Sequence, residues 1–229
     1  MARGIENIIF ERLLLLPLFQ GIGRSEFQEI TGRIRMGFQK IPRGAVIASQ
    51  DSVCDALYFV LGGEVAAQKT SDDRSYSLIE WFAQPMVIQP DRLFGMRPRY
   101  SRTFMATTTL QLLRVDKAAV RDILFYYPTF RINYLNMVST QVQQARQTLW
   151  RTLPDELLPR FVHFLQSRCF RPAGRKELRI KMKKLADELL VPRLRVSNFL
   201  NDLSARKYLE LYRGRIVVPT LEQLIQFSK

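Results

Sequence analysis

The segment from Lys184 to Leu203 constrains the fold of this chain more than any other part of its sequence. Its apolar residues form two groups with helical spacing, and Val191 lies in the short turn between them. The first group is Leu185, Ala186 and Leu189, and the second is Val196, Phe199, Leu200 and Leu203. The small Ala186 permits a close helix crossing. Pro192 suits the first turn of the second helix, because its missing N–H would be unpaired there anyway. The spacing predicts a helix-turn-helix.

The second of these helices exposes a polar face whose chemistry suits the base edges in a DNA major groove. Arginine can donate two hydrogen bonds to guanine, and asparagine can pair in a similar way with adenine. The candidate DNA-binding residues on this helix are Arg193, Leu194, Arg195, Ser197, Asn198 and Asn201. The alternative interpretation is an ordinary solvated helix face.

Two short β-type runs follow this helix, at Tyr208–Tyr212 and Arg215–Val218, on either side of Gly214. They predict a hairpin, or wing, with Arg213 and Arg215 at its tip. Such a wing places two cations near the phosphates of a bound duplex.

Charge is spread unevenly along the 229 residues, which include 35 Lys and Arg and 21 Asp and Glu. From Trp150 onward we count 17 basic and 8 acidic residues, and before it 18 and 13. A basic domain can neutralise DNA phosphates, but it can equally be a solvated surface or bind a membrane surface. The C-terminal third is the part of the chain that suits an anionic partner.

Between Phe38 and Val115 the sequence changes to short β-branched and aromatic runs separated by turn residues. The predicted strands are Ala45–Ser49, Ala56–Leu61, Glu64–Lys69, Tyr76–Phe82 and Met105–Val115. Two short helices are expected before them, between Ile5 and Ile34. This texture is typical of an all-β roll or sandwich.

A helical pattern returns at Asp116 and continues to Leu153. One apolar stripe within it alternates steps of three and four residues, like the seam of a two-stranded coiled coil. This predicted dimer interface consists of Leu135, Val138, Val142, Ala145 and Leu149. A second stripe near the helix start contains Phe130, Tyr134 and Met137. We expect one stripe to pack on the β domain and the other on a second subunit. The alternative is that both stripes belong to the core of one chain.

The order of these elements resembles the CRP/FNR family of bacterial transcription regulators, and so does a set of short motifs. The matching stretches are residues 17–19 with Phe27, 42–47, 55–65, Phe94 and Gly95, 112–116, 185–187, 196–197 and 214–216. The resemblance covers roughly Phe19 to Pro219.

This resemblance implies an α+β chain in three parts. Residues 1–125 would form N-terminal helices and a cyclic-nucleotide-binding-like β-roll sensor, 126–151 the dimerisation helix, and 152–229 a winged helix-turn-helix that binds DNA. It also implies a homodimer on a pseudo-palindromic double-stranded site, with RNA polymerase as a further partner. An effector in the β-roll would reposition the DNA-binding domains. Arg193 falls where the family commonly has an arginine that contacts a base or a phosphate.

The chain departs from the family pattern in its helix-turn-helix. Leu190 stands where the family usually has a turn glycine, and Pro192 stands where it usually has a serine that opens the recognition helix. On the reading face, Leu194 and Asn198 stand where the family usually has a glutamate and a second arginine. We therefore expect an operator that differs from those of the best-known members.

The effector cassette departs from the family as well. Members that bind cyclic nucleotides hold the ribose hydroxyl with a glutamate, and this chain has Met96 there, which cannot accept that hydrogen bond as a carboxylate does. The candidate pocket residues are Phe94, Gly95, Met96, Arg97, Arg99, Arg102 and Thr103. The pattern argues against cyclic AMP. Two alternatives stay open: an anionic ligand held by Arg99 or Arg102, or a vestigial pocket with surface arginines. The apolar run 81–88 could line an apolar ligand site, but it is more simply interpreted as a strand in the core.

The sequence argues against metal and enzyme chemistry. Cys54 and Cys169 are too few and too far apart for an iron–sulfur cluster, a zinc site or a disulfide framework. Haem through a methionine ligand stays open, whereas His163, in the predicted C-terminal domain, is interpreted as structural. No catalytic residue or catalytic motif is predicted.

The run Leu13–Phe19 is too short for a membrane span, so we expect a cytoplasmic protein without membrane partners. The competing function is a basic adaptor that binds nucleic acid or membrane without operator recognition.

Overall fold

The computed structural model describes residues 10–34, 37–83, 85–149 and 152–228, without the side chains of residues 148 and 149. It divides into two compact units. The first comprises the residues up to Val65 together with Phe82–Leu149, and the second comprises Ala66–Trp81 together with the residues after Leu149. The chain therefore passes between the units after Val65, after Trp81 and after Leu149.

The strands and helices alternate in blocks along the described chain. The strands are β1 (Gly37–Ile41), β2 (Val46–Ala48), β3 (Ala56–Gly62), β4 (Val65–Thr70), β5 (Tyr76–Phe82), β6 (Met86–Ile88), β7 (Thr103–Ala106), β8 (Leu110–Asp116), β9 (Lys176–Ile180), β10 (Glu210–Tyr212) and β11 (Arg215–Val218). The α-helices are α1 (Arg24–Arg33), α2 (Lys117–Asp122), α3 (Pro128–Leu149), α4 (Leu157–Arg168), α5 (Met182–Leu189), α6 (Arg193–Ala205) and α7 (Leu221–Phe227). Short 3₁₀ turns lie at Pro17–Phe19, Pro90–Arg92 and Leu124–Tyr126. The predicted α+β class is confirmed.

The first unit is built around a sheet with the strand order β1-β8-β3-β6, in which neighbouring strands are antiparallel. Strand β2 pairs with β7 in antiparallel orientation, outside this sheet. Three buried rings tie the N-terminal turn, the sheet and the long helix together. Phe19 meets Phe59 and Phe130 edge-on, with ring centroids 5.3 and 5.5 Å apart. The start of α3 is therefore fixed by the core of this unit.

Strand β5 has the bounds predicted from the sequence, but the predicted run Met105–Val115 is two strands, β7 and β8. The interruption forms because the chain there bonds to Glu64 instead of continuing a ladder. Thr107 donates its backbone N–H to the Glu64 carbonyl at 2.9 Å, and the Thr108 hydroxyl accepts from the Glu64 N–H at 2.8 Å.

The helical pattern from Asp116 to Leu153 corresponds to α2, a 3₁₀ turn and α3, and the long helix predicted from residue 126 begins as α3 at Pro128. Tyr127 is extended, with φ −83° and ψ 114°, and Pro128 opens α3. Proline disfavours helical geometry in the residue before it, so the pattern breaks at this point. The predicted helix start near Asp155 also moves, to Leu157.

The second unit contains a sheet with the order β10-β11-β9-β5-β4. Helices α4 to α7 pack on one face of it, around a core that includes Leu78, Phe161, Leu178, Leu185 and Leu200. Strand β9 was not predicted from the sequence. From the sequence, the hairpin of β4 and β5 is expected in the β-roll. In the structure, β5 pairs with β9 over five residues. The three-part division of the chain stays a prediction.

Gly63 provides a test of the β-roll geometry. Its φ is +93°, and a Cβ there would lie 2.6 Å from the carbonyl oxygen of Thr109. We expect Gly63→Ala to destabilise the chain by about 1–3 kcal/mol, because both the backbone conformation and the contact are unfavourable. Gly44→Ala is the control, since Gly44 has a φ of +87° and open space around its Cβ position. Urea unfolding followed by circular dichroism should show the larger loss for Gly63→Ala, and equal losses would contradict a role for the contact.

Candidate nucleic-acid interface

The helix-turn-helix of the second unit consists of α5 and α6. The predicted inward residues are buried: Leu185, Ala186 and Leu189 on α5, and Val196, Leu200 and Leu203 on α6. Phe199 is half-buried and meets Phe161 of α4 edge-on, with centroids 5.8 Å apart. These contacts fix the rotation of α6 about its own axis, which decides the residues that it presents outward.

The turn between α5 and α6 is closed by a leucine in a left-handed conformation. Leu190 has φ 54° and ψ 43°. Its N–H donates to the carbonyl of Asp187 at 3.3 Å, and the N–H of Val191 donates to that of Ala186 at 3.2 Å. This is the Schellman pattern, which glycine usually closes. Leu190 is therefore a non-glycine residue in the conformation of the usual turn glycine.

Pro192 lies one position before the helix, as the N-cap of α6, instead of in its first turn as predicted. Its ψ of 142° is extended, and its carbonyl accepts the N–H of Val196 at 3.2 Å. The missing proline N–H costs nothing at this position.

Leu194, Asn198 and Asn201 follow one another at spacings of four and three on α6, so they form one stripe of the helix. All three are exposed, and Leu194 is 72% exposed. Arg193 and Arg195 are exposed on either side of this stripe, and Ser197 beside it is half-buried. The stripe combines an apolar side chain, which can contact a thymine methyl group, with two amides that can pair with adenine.

The predicted wing is present as the antiparallel pair of β10 and β11. Arg213 is exposed in the turn between the strands, whereas Arg215 lies within β11. The Arg215 guanidinium lies 4.2 Å from the ring centroid of Tyr212 and 3.9 Å from the carboxylate of Glu177. The two wing arginines therefore differ, because Arg215 is already engaged by an aromatic ring and an acid.

Sequence reasoning missed Arg160, which holds the end of α5. Its guanidinium donates to the carbonyl of Leu189 at 3.0 Å and to those of Pro154 and Asp155 at 2.8 and 2.9 Å. A cation at a helix C-terminus satisfies carbonyls that have no partner within the helix. Nothing in the local sequence points to this contact, since Arg160 and Leu189 are 29 residues apart.

The domain family that the first unit matches is the cyclic nucleotide-binding domain, over residues 38–127. The catabolite activator protein of Thermus thermophilus is similar in structure, with 18% identity, a TM-score of 0.52, and coverage of 93% of this chain and 98% of that chain. The sensor domain of the transcriptional regulator DNR from Pseudomonas aeruginosa is similar with 20% identity, a TM-score of 0.53, and coverage of 66% and 98%. No curated protein matches this chain.

Residues 38–127 are similar in sequence to the cyclic nucleotide-binding domain family. The predicted resemblance to CRP/FNR regulators is confirmed at the level of the fold. At these identities the likeness concerns the fold alone, so the bound sequence and the effector are not given by it.

The candidate effector residues of the cyclic nucleotide-binding domain are not gathered into one polar cluster. Met96 is wholly exposed, and Gly95 and Arg97 beside it are exposed too. Arg99 is exposed and donates to the carbonyl of Asp51 at 2.6 Å. Arg102 is buried, and the Thr103 hydroxyl accepts the N–H of Gln50 at 2.9 Å. Phe94 contacts the rings of Phe125 and Tyr134 at 5.4 and 6.0 Å, so it serves the aromatic core.

Asp91 lies just before this cassette and pairs with its own neighbour. Its carboxylate lies 3.0 Å from the guanidinium of Arg92. Burial raises the pKa of Asp91, while the charges of Arg92 and Arg102 act to lower it.

The long helix α3 has one buried side and one exposed side. Phe130 and Tyr134 are buried, and the Tyr134 hydroxyl donates to the carbonyl of Pro90 at 2.5 Å. On the predicted interface, Leu135 and Val142 are 53% and 48% exposed, Ala145 is exposed and Val138 is half-buried. The side chain of Leu149 lies outside the described residues. Ile132, three residues before Leu135 and also exposed, continues the stripe and was missed from the sequence.

Within residues 10–34, 37–83, 85–149 and 152–228, no helix is long and apolar enough to cross a membrane. The same part of the chain contains no group of three or more His, Cys, Asp and Glu residues placed to hold a metal ion.

Leu190 provides a test of the turn. We expect Leu190→Gly to stabilise the chain by about 0.5–1 kcal/mol, because glycine adopts the left-handed conformation without the Cβ clash and the lost side chain is 71% exposed. Leu190→Ala is the control, since it removes the side chain but keeps the Cβ atom. Urea unfolding should show a gain for glycine alone, and an equal gain for alanine would contradict the conformational explanation.

Proposed function

We propose that this chain is a homodimeric, sequence-specific DNA-binding transcription regulator of the cytoplasm, not an enzyme. We also propose that an effector of its β-roll, where one acts, is not cyclic AMP. The observation that carries the proposal is the outward stripe of Leu194, Asn198 and Asn201 on the second helix of a helix-turn-helix. Such a stripe can enter a major groove and contact base edges. We propose that Arg193 and Arg195, which are exposed beside this stripe, and Arg213, which is exposed in the wing turn, contact phosphates or guanine.

A dimer is supported by the exposed apolar stripe on α3. Apolar side chains at alternating spacings of three and four, on a helix that is otherwise polar on that side, favour burial against a second copy. A two-fold dimer would present two recognition helices, so its target would be a pseudo-palindromic duplex. RNA polymerase is the further partner that we propose.

Met96 argues against cyclic AMP, because it is wholly exposed and has no carboxylate to accept a bond from the ribose hydroxyl. Two alternatives stay open, an anionic ligand held near Arg99 or Arg102 and a pocket that has lost its ligand. Haem and other cofactors are not assigned.

The test is selection of bound sequences from a random duplex library by the purified chain, with and without small-molecule extract of its source cells. We expect enrichment of a palindromic motif. Enrichment only with extract means that a ligand gates binding, and enrichment without extract means that the pocket is dispensable or already filled. Salt-sensitive binding with no enriched motif in either condition would contradict operator recognition and favour the nonspecific adaptor.

Arg193→Ala tests base readout. We expect a loss of about 1–3 kcal/mol in binding to the selected operator and relaxed preference at one position, because an arginine at the start of the recognition helix can donate two bonds to guanine. Arg43→Ala removes one exposed charge from the other unit and serves as the control. Competition titrations against single-base operator variants measure both effects. A uniform loss across all sequences would identify Arg193 as a phosphate contact instead.

Val142→Glu tests the dimer. We expect monomers, because two facing carboxylates buried at a seam are strongly unfavourable. Gln143→Glu adds the same charge at the exposed neighbouring position and should remain dimeric. Sedimentation velocity distinguishes the two states. A Val142→Glu variant that sediments like the unchanged chain would place the interface elsewhere.

A further inference from the structure

The hairpin of β4 and β5 completes the sheet of the winged helix. Strand β5 pairs with β9 in an antiparallel register that sets Tyr76 opposite Ile180, Leu78 opposite Leu178 and Glu80 opposite Lys176. Leu78 belongs to the buried core of the helix-turn-helix unit, and Tyr76 packs against that core. The hairpin therefore contributes apolar surface and backbone hydrogen bonds to a domain that begins some 75 residues later in the chain.

Glu80 and Lys176 form a fully buried ion pair at one end of the pairing between β5 and β9. The Glu80 carboxylate lies 3.1 Å from the ammonium group of Lys176, and the two side chains are 0% and 1% exposed. The carboxylate also accepts the N–H groups of Phe170 and Arg171 at 2.6 and 3.1 Å, and Lys176 donates to the carbonyl of Ala173 at 2.6 Å. A buried carboxylate is tolerated only with such partners, so Glu80 matches a site that the loop after α4 and β9 provide.

The other end of the hairpin is anchored to the first helix of the helix-turn-helix. Asp73, in the hairpin turn, lies 3.1 Å from the ammonium group of Lys184 on α5. Hydrogen bonds from Ser75 and Ser71 hold the pKa of Asp73 well below its usual range, so it is ionised at neutral pH. Arg168 donates to the hydroxyl of Tyr76 at 2.8 Å and to the carboxylate of Glu188 on α5 at 2.7 Å. The hairpin thus fixes α5 at two places.

The hairpin is joined at both ends to the first unit but packs in the second. Residues on both sides of the hairpin, Val65 and Phe82, belong to the first unit, whereas the hairpin itself belongs to the second. We infer that the hairpin Ala66–Trp81, locked by Glu80, holds the helix-turn-helix in its DNA-binding form. This inference rests on the proposed function. The docked hairpin contacts α5, and the reading stripe of α6 remains exposed and accessible to DNA in the docked form.

Glu80→Ala in the full-length chain tests the lock. We expect faster amide hydrogen exchange in β9 and α5, because the strand pairing opens more often. We also expect about 10-fold or more weaker binding to DNA, because only the docked fraction binds. Asp72→Asn removes one charge from the exposed turn of the same hairpin and should change neither quantity. Binding is measured on the selected operator and on a random-sequence duplex at low salt.

A disulfide makes the result independent of whether Glu80→Ala folds fully. Ser77 and Arg179 face one another in the register of β5 and β9, and directly opposed residues of antiparallel strands have Cα separations that a disulfide can span. In a Cys169→Ser background, Glu80→Ala with Ser77→Cys and Arg179→Cys should bind DNA when oxidised and lose about 10-fold in affinity when reduced. The same cysteines with Glu80 retained should bind equally well in both states.

The outcomes separate this inference from the proposed function. Equal affinity of the oxidised and reduced Glu80→Ala proteins, on both duplexes, would overturn control by the hairpin. Unchanged amide hydrogen exchange in β9 of the Glu80→Ala protein would contradict the role of Glu80 in holding the hairpin on β9. An unchanged chain that binds both duplexes equally would contradict operator recognition, while the redox comparison would still decide whether the docked hairpin is required for binding.

Discussion

The pairing of β5 with β9 is the interaction on which the DNA-binding unit depends, and the buried Glu80–Lys176 pair fixes its register. Removing two opposite charges from water is costly, and their attraction offsets that cost only when the remaining polar atoms also find partners. Here two backbone N–H groups and the Ala173 carbonyl supply them. A shift of the register by one residue would leave both charges buried without partners, so one alignment of the strands is strongly preferred.

The helix-turn-helix shows how a local departure from a family pattern is accommodated. Leu190 replaces the expected glycine, yet the turn keeps its two Schellman hydrogen bonds and the leucine takes the left-handed conformation. Packing of Leu189 and Val196 on either side fixes the path of the chain, so the strain is tolerated and not relieved. The side chain of Leu190 then remains in solvent, where it does not disturb the reading stripe on α6.

The first unit has a tightly packed scaffold, while its cassette differs from the pattern of the family that the chain resembles. Gly63 closely approaches Thr109, and Phe19, Phe59 and Phe130 form an aromatic core that secures the long helix. In contrast, Met96 lies in solvent and Arg99 is bonded to the backbone of Asp51. Scaffold residues are constrained by packing from all sides, whereas the cassette is constrained chiefly by its ligand.

The sequence by itself determined the helix-turn-helix faces, the wing, strand β5 and the two stripes of the long helix, because periodicity and turn residues act over a few positions. It missed the strand β9 and the contacts of Arg160. Only the tertiary structure decided that Glu80 meets Lys176, that Asp73 meets Lys184 and that the hairpin belongs with the winged helix. These partners lie about 100 residues apart in the chain, and the spacing of residues within either segment carries no information about which distant charge completes a buried site.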